Sequence, residues 1–537
     1  METGRNKTNN SLPKIAMPGN DKLISKFAKE LSEIIYDKSK IFYRTDSKNI
    51  IEIRKIKSNC NEEDKFVGFS EVQPNRFITL IEKFMNPGLY KFDKDTGFVF
   101  YHKSISAQLA KTLLCSEVLQ EKLHKIERIF TIPIPILHNG KLTFPNKGYD
   151  KRFNSWLPHD SPEISDVMNI DEAKEILNNI LSEFCFQTNQ DKTNAIAGLL
   201  TPFLRGLFSN FNIRTPVYFY IANRERAGKD YLAGITSIIY EGHVIEDPPI
   251  STSENKRSNN TEELRKKLLA AFISGRKRIH FSNNKGYINN ATFESIVTSS
   301  KYSDRLLGKN ELLDFDNEID FSLSGNTGIG FTPDFANRCR FVRLFLDLED
   351  ANARKFKNPD LHSFVKTNRK NIISALYTLV NNWIDNGKKE GTVLFASFPE
   401  WARICGGIME SAGYTSPCIV DPEVLSLGGD SATRDMKLLF EICYNARKGE
   451  LLTKADIANI VTIDSESNMF SHIDFEKRSG QTRFGTLISK FIGRVLSDIR
   501  LEVEDIKVRS SRQKFRFVKI KVEKLEDINE KRVTKLK

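Results

Sequence analysis

Apolar residues fall at three- and four-residue intervals through residues 23–36 (LISKFAKELSEIIY) and 104–123 (SISAQLAKTLLCSEVLQEKL), a spacing that predicts two amphipathic helices. Elsewhere in this part of the chain the period shortens to two. Residues 40–57 read as a hairpin, and residues 131–150 alternate around Asn139-Gly140, a dipeptide suited to a tight hairpin turn. A mixed α+β accessory domain is therefore expected over 21–165. It follows a polar tail, 1–20, that carries Pro13 and Pro18 and is expected to be disordered.

From 166 to about 425 the pattern alternates between helix and strand. Helices are predicted at 171–184, 191–208, 261–275 and 290–299, and strands at 217–221, 277–283, 318–326 and 340–348. This alternation implies a largely parallel sheet flanked by helices, extended by helical stretches at 371–387 and 398–413. Gly-Gly-Asp at 428–430 marks a boundary. Residues 430–525 then read as helices at 434–446, 454–461 and 484–496, followed by strands at 500–508 and 514–522, the order of a winged helix. Residues 526–537 form a basic tail. The expected fold class is multidomain α/β.

The length of 537 residues exceeds one ordinary core, so three or four domains are expected. No apolar run approaches the roughly 20 residues that span a bilayer, and the first residues lack a signal-peptide apolar stretch; no membrane partner and a cytoplasmic location are expected. The seven cysteines are scattered without C-x-x-C spacing and read as free thiols, which argues against a zinc site or a disulfide framework. A net charge of +12 permits a polyanionic partner, and its placement matters more than its size.

The candidate chemistry starts at residues 218–235, YFYIANRERAGKDYLAGI, where a strand leads through a polar turn to Gly228-Lys229 and a helix. The spacing is that of the phosphate-binding loop G-x-x-x-x-G-K-[ST], with Asn223 in the place of the first Gly and Asp230 in the place of the hydroxyl residue. Lys229 and the helix N-terminal N–H groups would converge on a phosphate. The candidate nucleotide-binding residues are Asn223, Arg226, Ala227, Gly228, Lys229, Asp230 and Tyr231. Downstream, a strand ends in Ser282-Asn283 where a carboxylate is usual, and another ends at Asn326, placed to orient water; Arg338, Arg340 and Arg343 follow.

These segments resemble the AAA+ replicative helicases of phages, plasmids and integrated elements, relatives of the minichromosome-maintenance helicases. The likeness rests on Glu262-Glu263-Leu264-Arg265-Lys266, Ser282-Asn283, Asp304-Arg305-Leu306-Leu307-Gly308, Gly325-Asn326-Thr327 and Asp334-Phe335-Ala336-Asn337-Arg338, and it extends over about 130–420. It implies an ATP-dependent DNA helicase or translocase that binds ATP with Mg²⁺ between subunits of a ring, probable size six being a family property. A primase or an origin-binding protein is a possible partner. Asn326 becomes the sensor, Asn283 a residue that positions water, and Arg338 and Arg305 alternative arginine fingers. Asn223, Asp230 and Ser282 depart from the family pattern. Asp230 and Ser282 together form a candidate metal pair with the usual ligand types exchanged; the alternative is that Asp230 caps the helix of an inactive site. A nucleotide-binding but non-hydrolysing DNA-binding replication initiator or regulator, with a degenerate AAA+ core, is the rival function.

In the terminal module, Arg483, Lys490 and Arg494 are spaced as one helical face opposite Phe484, Leu487, Ile488, Phe491 and Ile492. Arg509, Arg512, Lys514 and Arg516 sit at or beside the expected hairpin tip. Together they predict duplex DNA binding through phosphates, with single-stranded DNA held by the motor.

Overall fold

The computed structural model describes residues 12–19, 21–36, 40–57, 65–165, 167–250, 257–306, 311–327, 329–347, 357–420, 431–463, 470, 473, 477–496, 498–504 and 514–520. The chain divides into two units, 1–329 with 337–420, and 330–336 with 421–537.

The first unit opens with a correction to the expected tail. Lys14–Ala16 (β1) is a strand, paired in parallel with Asn86–Asp93, so order begins before residue 20. Its Ile15 is anchored in the same core as helix Ile24–Ile35 (α1), whose Phe27, Ala28, Leu31 and Ile35 form the buried stripe that the periodicity predicts. The expected hairpin forms from Ile41–Arg44 (β2) and Asn49–Lys57 (β3), and Lys65–Glu71 (β4) extends it. The turn at Asn139-Gly140 also forms, with both residues at positive φ, 51° and 75°. The long helix expected over 104–123 is instead two, Ala107–Leu114 and Glu117–Lys122, because the chain breaks at Cys115 and restarts at Ser116.

The central sheet contains Val217–Ala222 (β7), Arg278–Asn284 (β8), Asp320–Asn326 (β11) and Cys339–Leu344 (β12), all parallel, in the order β8-β11-β7-β12. A parallel bridge from Asp247 to Phe281 lies along the free edge of β8. Strand alternation gives the sheet two faces. One carries Tyr218, Tyr220, His280 and Ser324 toward helix Lys229–Glu241 (α4). The other carries Phe281 and Phe321 against Phe293 of helix Ala291–Thr298 (α6), with ring centroids 5.5 Å apart in both pairs. The sequence reading missed an antiparallel hairpin between these elements, Lys301–Arg305 (β9) with Leu312–Asp316 (β10).

The expected accessory segment and the central sheet are joined by buried ions. Arg44 on β2 donates to the carbonyls of Phe272 and Ile273 at the end of helix Arg257–Ser274 (α5), where a cation meets the unsatisfied carbonyls of a helix C-terminus. Arg128 donates to Glu318 at 3.2 Å, and Lys277 donates to the other carboxylate oxygen. Burial alone would raise the Glu318 carboxyl, but the Arg128 and Lys277 charges and the Lys277 hydrogen bond hold it down at about 2. This pKa is depressed, so its stabilisation is full above the unfolded value near 4.5 and is lost as pH falls toward 2. Glu318→Gln is expected to cost about 3–5 kcal/mol at neutral pH, because two cations stay buried without their partner. Urea titration at pH 7 and at pH 3 should show the deficit relative to wild type shrinking by about 2 kcal/mol.

The second unit packs helices Ser431–Arg447 (α8), Lys454–Ile463 (α9) and Arg478–Ser489 (α10) and strands Ile499–Glu504 (β13) and Lys514–Lys519 (β14) around Met436, Phe440, Ile457, Phe484, Ile488, Phe515 and Phe517. Three helices precede a hairpin, as expected. The third helix lies earlier than the expected 484–496: it begins at Arg478 and stops at Ser489, and Gly493, at φ 79°, turns the chain into Val495–Leu496, which pairs with β13.

Candidate functional site

The loop from β7 to α4 leaves the C-terminal edge of the sheet between β11 and β12, the two neighbours of β7. A crevice at such a switch point is where parallel sheets bind ligands. Gly228 stands at φ 96°, a conformation that side-chain-bearing residues rarely adopt, and it lets α4 begin at Lys229. No side chain caps the first turn of α4, which leaves its N–H groups for an anion.

Lys229 is buried, with its Nζ 2.9 Å from Asp230 Oδ2. The other Asp230 oxygen accepts from the Ser324 hydroxyl on β11. The structure therefore brings Asp230 onto Ser324, not onto Ser282. Ser282 shares the α4 face, but its hydroxyl is directed at the Asp247 carbonyl, 3.5 Å away. The reason is a register shift on β8 between Phe281 and Asn284. Within it Asn283 adopts φ 53° and turns outward, while buried Asn284 accepts from Ile250 N–H and donates to the carbonyls of Phe281 and Ser324. Asn326 lies level with Ala222 at the end of β7, and its Oδ1 is buried with no hydrogen-bond partner.

Other expected loop residues are already engaged. Asn223 exchanges two hydrogen bonds with the backbone of Leu346, at 3.1 and 2.9 Å, and so ties the loop to the segment after β12. Tyr231 stacks on His362 with centroids 3.5 Å apart, so one ring face is covered. Arg226 is exposed at φ 62°, and Ala227 is buried. Arg338 lies at the far end of the sheet: its carbonyl accepts from Val217 N–H at the start of β7, roughly 16 Å of strand from the loop, and its guanidinium donates to the Glu294 carbonyl. Arg305 is on β9 and lines a cleft of about 380 Å³ with Glu262, Arg265 and Asp304. Two of the quoted motifs meet there, since Arg265 donates to Asp304.

Glu246 was not singled out from the sequence. It precedes Asp247, so alternation along the edge bridge turns it to the α4 face. The Glu246 side chain is exposed at the crevice mouth; partial desolvation there raises its carboxyl, the Asp230 charge raises it further, and the Lys229 charge opposes both. The signal available in the sequence was weak, an acidic pair in EDPP with no strand pattern around it. His280, on the same face, donates or accepts at Ser322 Oγ (2.8 Å); burial lowers it to about 4, so it is neutral at physiological pH.

The oxygen donors fit Mg²⁺, which binds through one or two carboxylates together with substrate phosphates. Among the described residues no three His, Cys, Asp or Glu side chains form a metal cage of their own. Six cysteines are free thiols there, and no described helix is long and apolar enough to cross a membrane.

In the second unit Arg483, Lys490, Arg494 and Arg516 are exposed, and Lys514 is half-buried. Arg494 lies past the end of α10, over the Phe491 ring at 4.9 Å, so the three cations are not one helical face. Arg516 is 3.6 Å from Glu504. Arg509 and Arg512 lie outside the described residues, as do Leu307-Gly308, the 428–430 linker and the 526–537 tail.

No protein-family model and no curated protein matches the sequence. Among solved structures, one described as the A form apo structure of the NrS-1 C-terminal region aligns at 9% identity with a TM-score of 0.36, covering 83% of this chain and 100% of that chain. A likeness of that size carries no argument, and the functional reading rests on the residues.

Proposed function

We propose that this chain is an ATP-driven DNA helicase or translocase with an AAA+ core, acting as an oligomeric ring in the replication of a mobile element. The observation that carries the reading is Lys229, buried at an uncapped helix start, with the polar ends of β8 and β11 on the same face and the Ser324 hydroxyl reaching Asp230. The strand order, with the Asp247 edge next to β8 and β7 between β11 and β12, suits such a core.

In this reading Lys229 and the first turn of α4 hold the phosphates, and Asp230 with Ser324 holds Mg²⁺. When bound, Mg²⁺ draws charge from the phosphates and fixes their orientation. Asp230 engaged by the metal would release Lys229, whose ammonium would then be open to the phosphates. Asn326, whose Oδ1 lacks a partner, orients the attacking water, and Glu246 takes its proton. The carboxylate missing from the end of β8 is thus supplied from the neighbouring edge. Arg338 and Arg305 both lie outside the loop's own crevice, so a role as arginine finger would be played at the site of an adjacent subunit and would require each to leave its present contacts.

One observation favours the nucleotide-binding but non-hydrolysing initiator instead: β8 ends in Ser282-Asn283-Asn284, with no carboxylate of its own to take a proton from water. Steady-state ATPase with Mg²⁺, with and without single-stranded DNA, separates the two. Hydrolysis stimulated by DNA is expected; none under any divalent metal would leave the initiator.

The second unit is read as a winged helix that contacts duplex DNA through phosphates. Replacing Arg483, Lys490 and Arg494 together by alanine is expected to weaken duplex binding about equally on all sequences. The slope of log affinity against log salt should fall by up to about 3, in anisotropy titrations over a salt series. An unchanged slope would remove this surface from the DNA.

A further inference from the structure

Strands β5 (Asn86–Asp93) and Gly97–His102 (β6) form a hairpin beside β1, and the face turned away from the core is aromatic. Ile15 points into the core from one side of β1, so Lys14 points to the other. The register places Tyr90 opposite Phe100, Phe92 opposite Phe98, and Gly88 opposite His102. All of these share Lys14's face. Outward positions of a sheet packed on one side are normally polar. Here Tyr90 is 54% exposed, Phe92 68% and Phe98 73%.

We infer that this face binds single-stranded nucleic acid by stacking unpaired bases on its rings. Four features select that occupant. The stripe holds aromatic side chains and no Leu, Ile, Val or Met, so its exposed apolar surface is made of π-faces on which bases can stack. The rings stand edge to face, Tyr90 on Phe100 at 5.1 Å and Phe92 on Phe98 at 5.4 Å, so they are fixed by each other and keep open faces. Rings two residues apart are separated by roughly 6.6 Å along the strand, a step that an extended strand with splayed bases can follow. Gly88 leaves the stripe clear, because a Cβ there would collide with the Phe100 ring that lies across it.

Charge agrees with the assignment. Lys14 Nζ sits 5.4 Å from the Phe100 centroid on the stripe's own face, and Lys94 and Lys103 are exposed at the hairpin's ends; Lys91, 5.5 Å from the Tyr101 ring, lies on the opposite face. The opposing acids are Asp93 and Asp95, and the Asp93 carboxylate is used by the turn, accepting from the N–H groups of Asp95 and Thr96 and from the Thr96 hydroxyl. Cations beside and at the ends of an aromatic platform are the arrangement that holds single strands with little base preference.

The surface is separate from the nucleotide crevice, so its test needs no ATP. In the full-length protein, Phe92→Leu with Phe98→Leu keeps apolar bulk and removes two π-faces. Affinity for a labelled oligothymidylate, read by anisotropy without nucleotide, is expected to fall about tenfold or more. Affinity for a duplex of equal length should not change, and sedimentation velocity should show the same assembly. Unchanged single-strand affinity would overturn the inference, and so would a change of oligomeric state, which would make the stripe a contact between copies. As a check that needs no variant, photocrosslinking of a 5-iodouracil oligonucleotide to the wild-type protein should label residues 86–102. Labelling confined to other segments would count against it.

Discussion

Lys229→Ala is expected to lose ATP binding by about a hundredfold or more, beyond the loss of one charge-assisted contact. In the structure the Asp230 charge is compensated by Lys229 at 2.9 Å, and its other oxygen accepts from the Ser324 hydroxyl. Without the lysine, the carboxylate would face the phosphates uncompensated, and repulsion would add to the lost attraction. The companion Asp230→Ala separates the two roles of the acid. Without Mg²⁺ it should bind nucleotide more tightly than wild type, because Lys229 is released. With Mg²⁺ its hydrolysis should fall by about a hundredfold, because a metal ligand at a transferring phosphoryl group is gone. Titration with a fluorescent ATP analogue, with Mg²⁺ and with chelator, reads both signs. Equal hydrolysis by Asp230→Ala and wild type would place the metal elsewhere.

Glu246→Gln is expected to lower the rate of hydrolysis by about a hundredfold or more while leaving nucleotide affinity near the wild-type value. The general-base contribution spans about 10²–10⁴-fold, and an amide of the same shape cannot take a proton. A carboxylate must lose its proton to act as base, so the wild-type rate should rise with pH through the Glu246 pKa. That limb should vanish in Glu246→Gln. Single-turnover rates between pH 5 and 8 test it. A variant that keeps both the rate and the acid limb would return the base to another residue.

Local pattern made several features legible. The Asn139-Gly140 hairpin, α1, the strand before Lys229 and the helix after it all form where the periodicity puts them, because each depends on residues a few positions apart. The same locality explains the errors. The helix expected over 484–496 overran, since Gly493 at φ 79° weighs little against seven apolar positions in a window. The hairpins β9–β10 and β5–β6 were missed. In β5–β6 the rings occupy alternate positions, and alternation alone says that one face is apolar without saying which way it points.

Sequence by itself determined the alternation of helix and strand from 166 onward and the place of Lys229 at a strand-to-helix turn, because backbone preference and side-chain period act over a few residues. Only the tertiary structure decided what Lys229 works beside. Ser324 reaches Asp230 across 94 residues of chain because β11 pairs with β7 at Tyr220, and the shift on β8 sends Asn283 outward. Glu246 joins because the Asp247 bridge extends the sheet by one edge. The aromatic stripe is exposed because Ile15 and its neighbours filled the core from the other side. Register and the choice of face are set by long-range packing, and a one-residue change in either would reverse every side chain concerned.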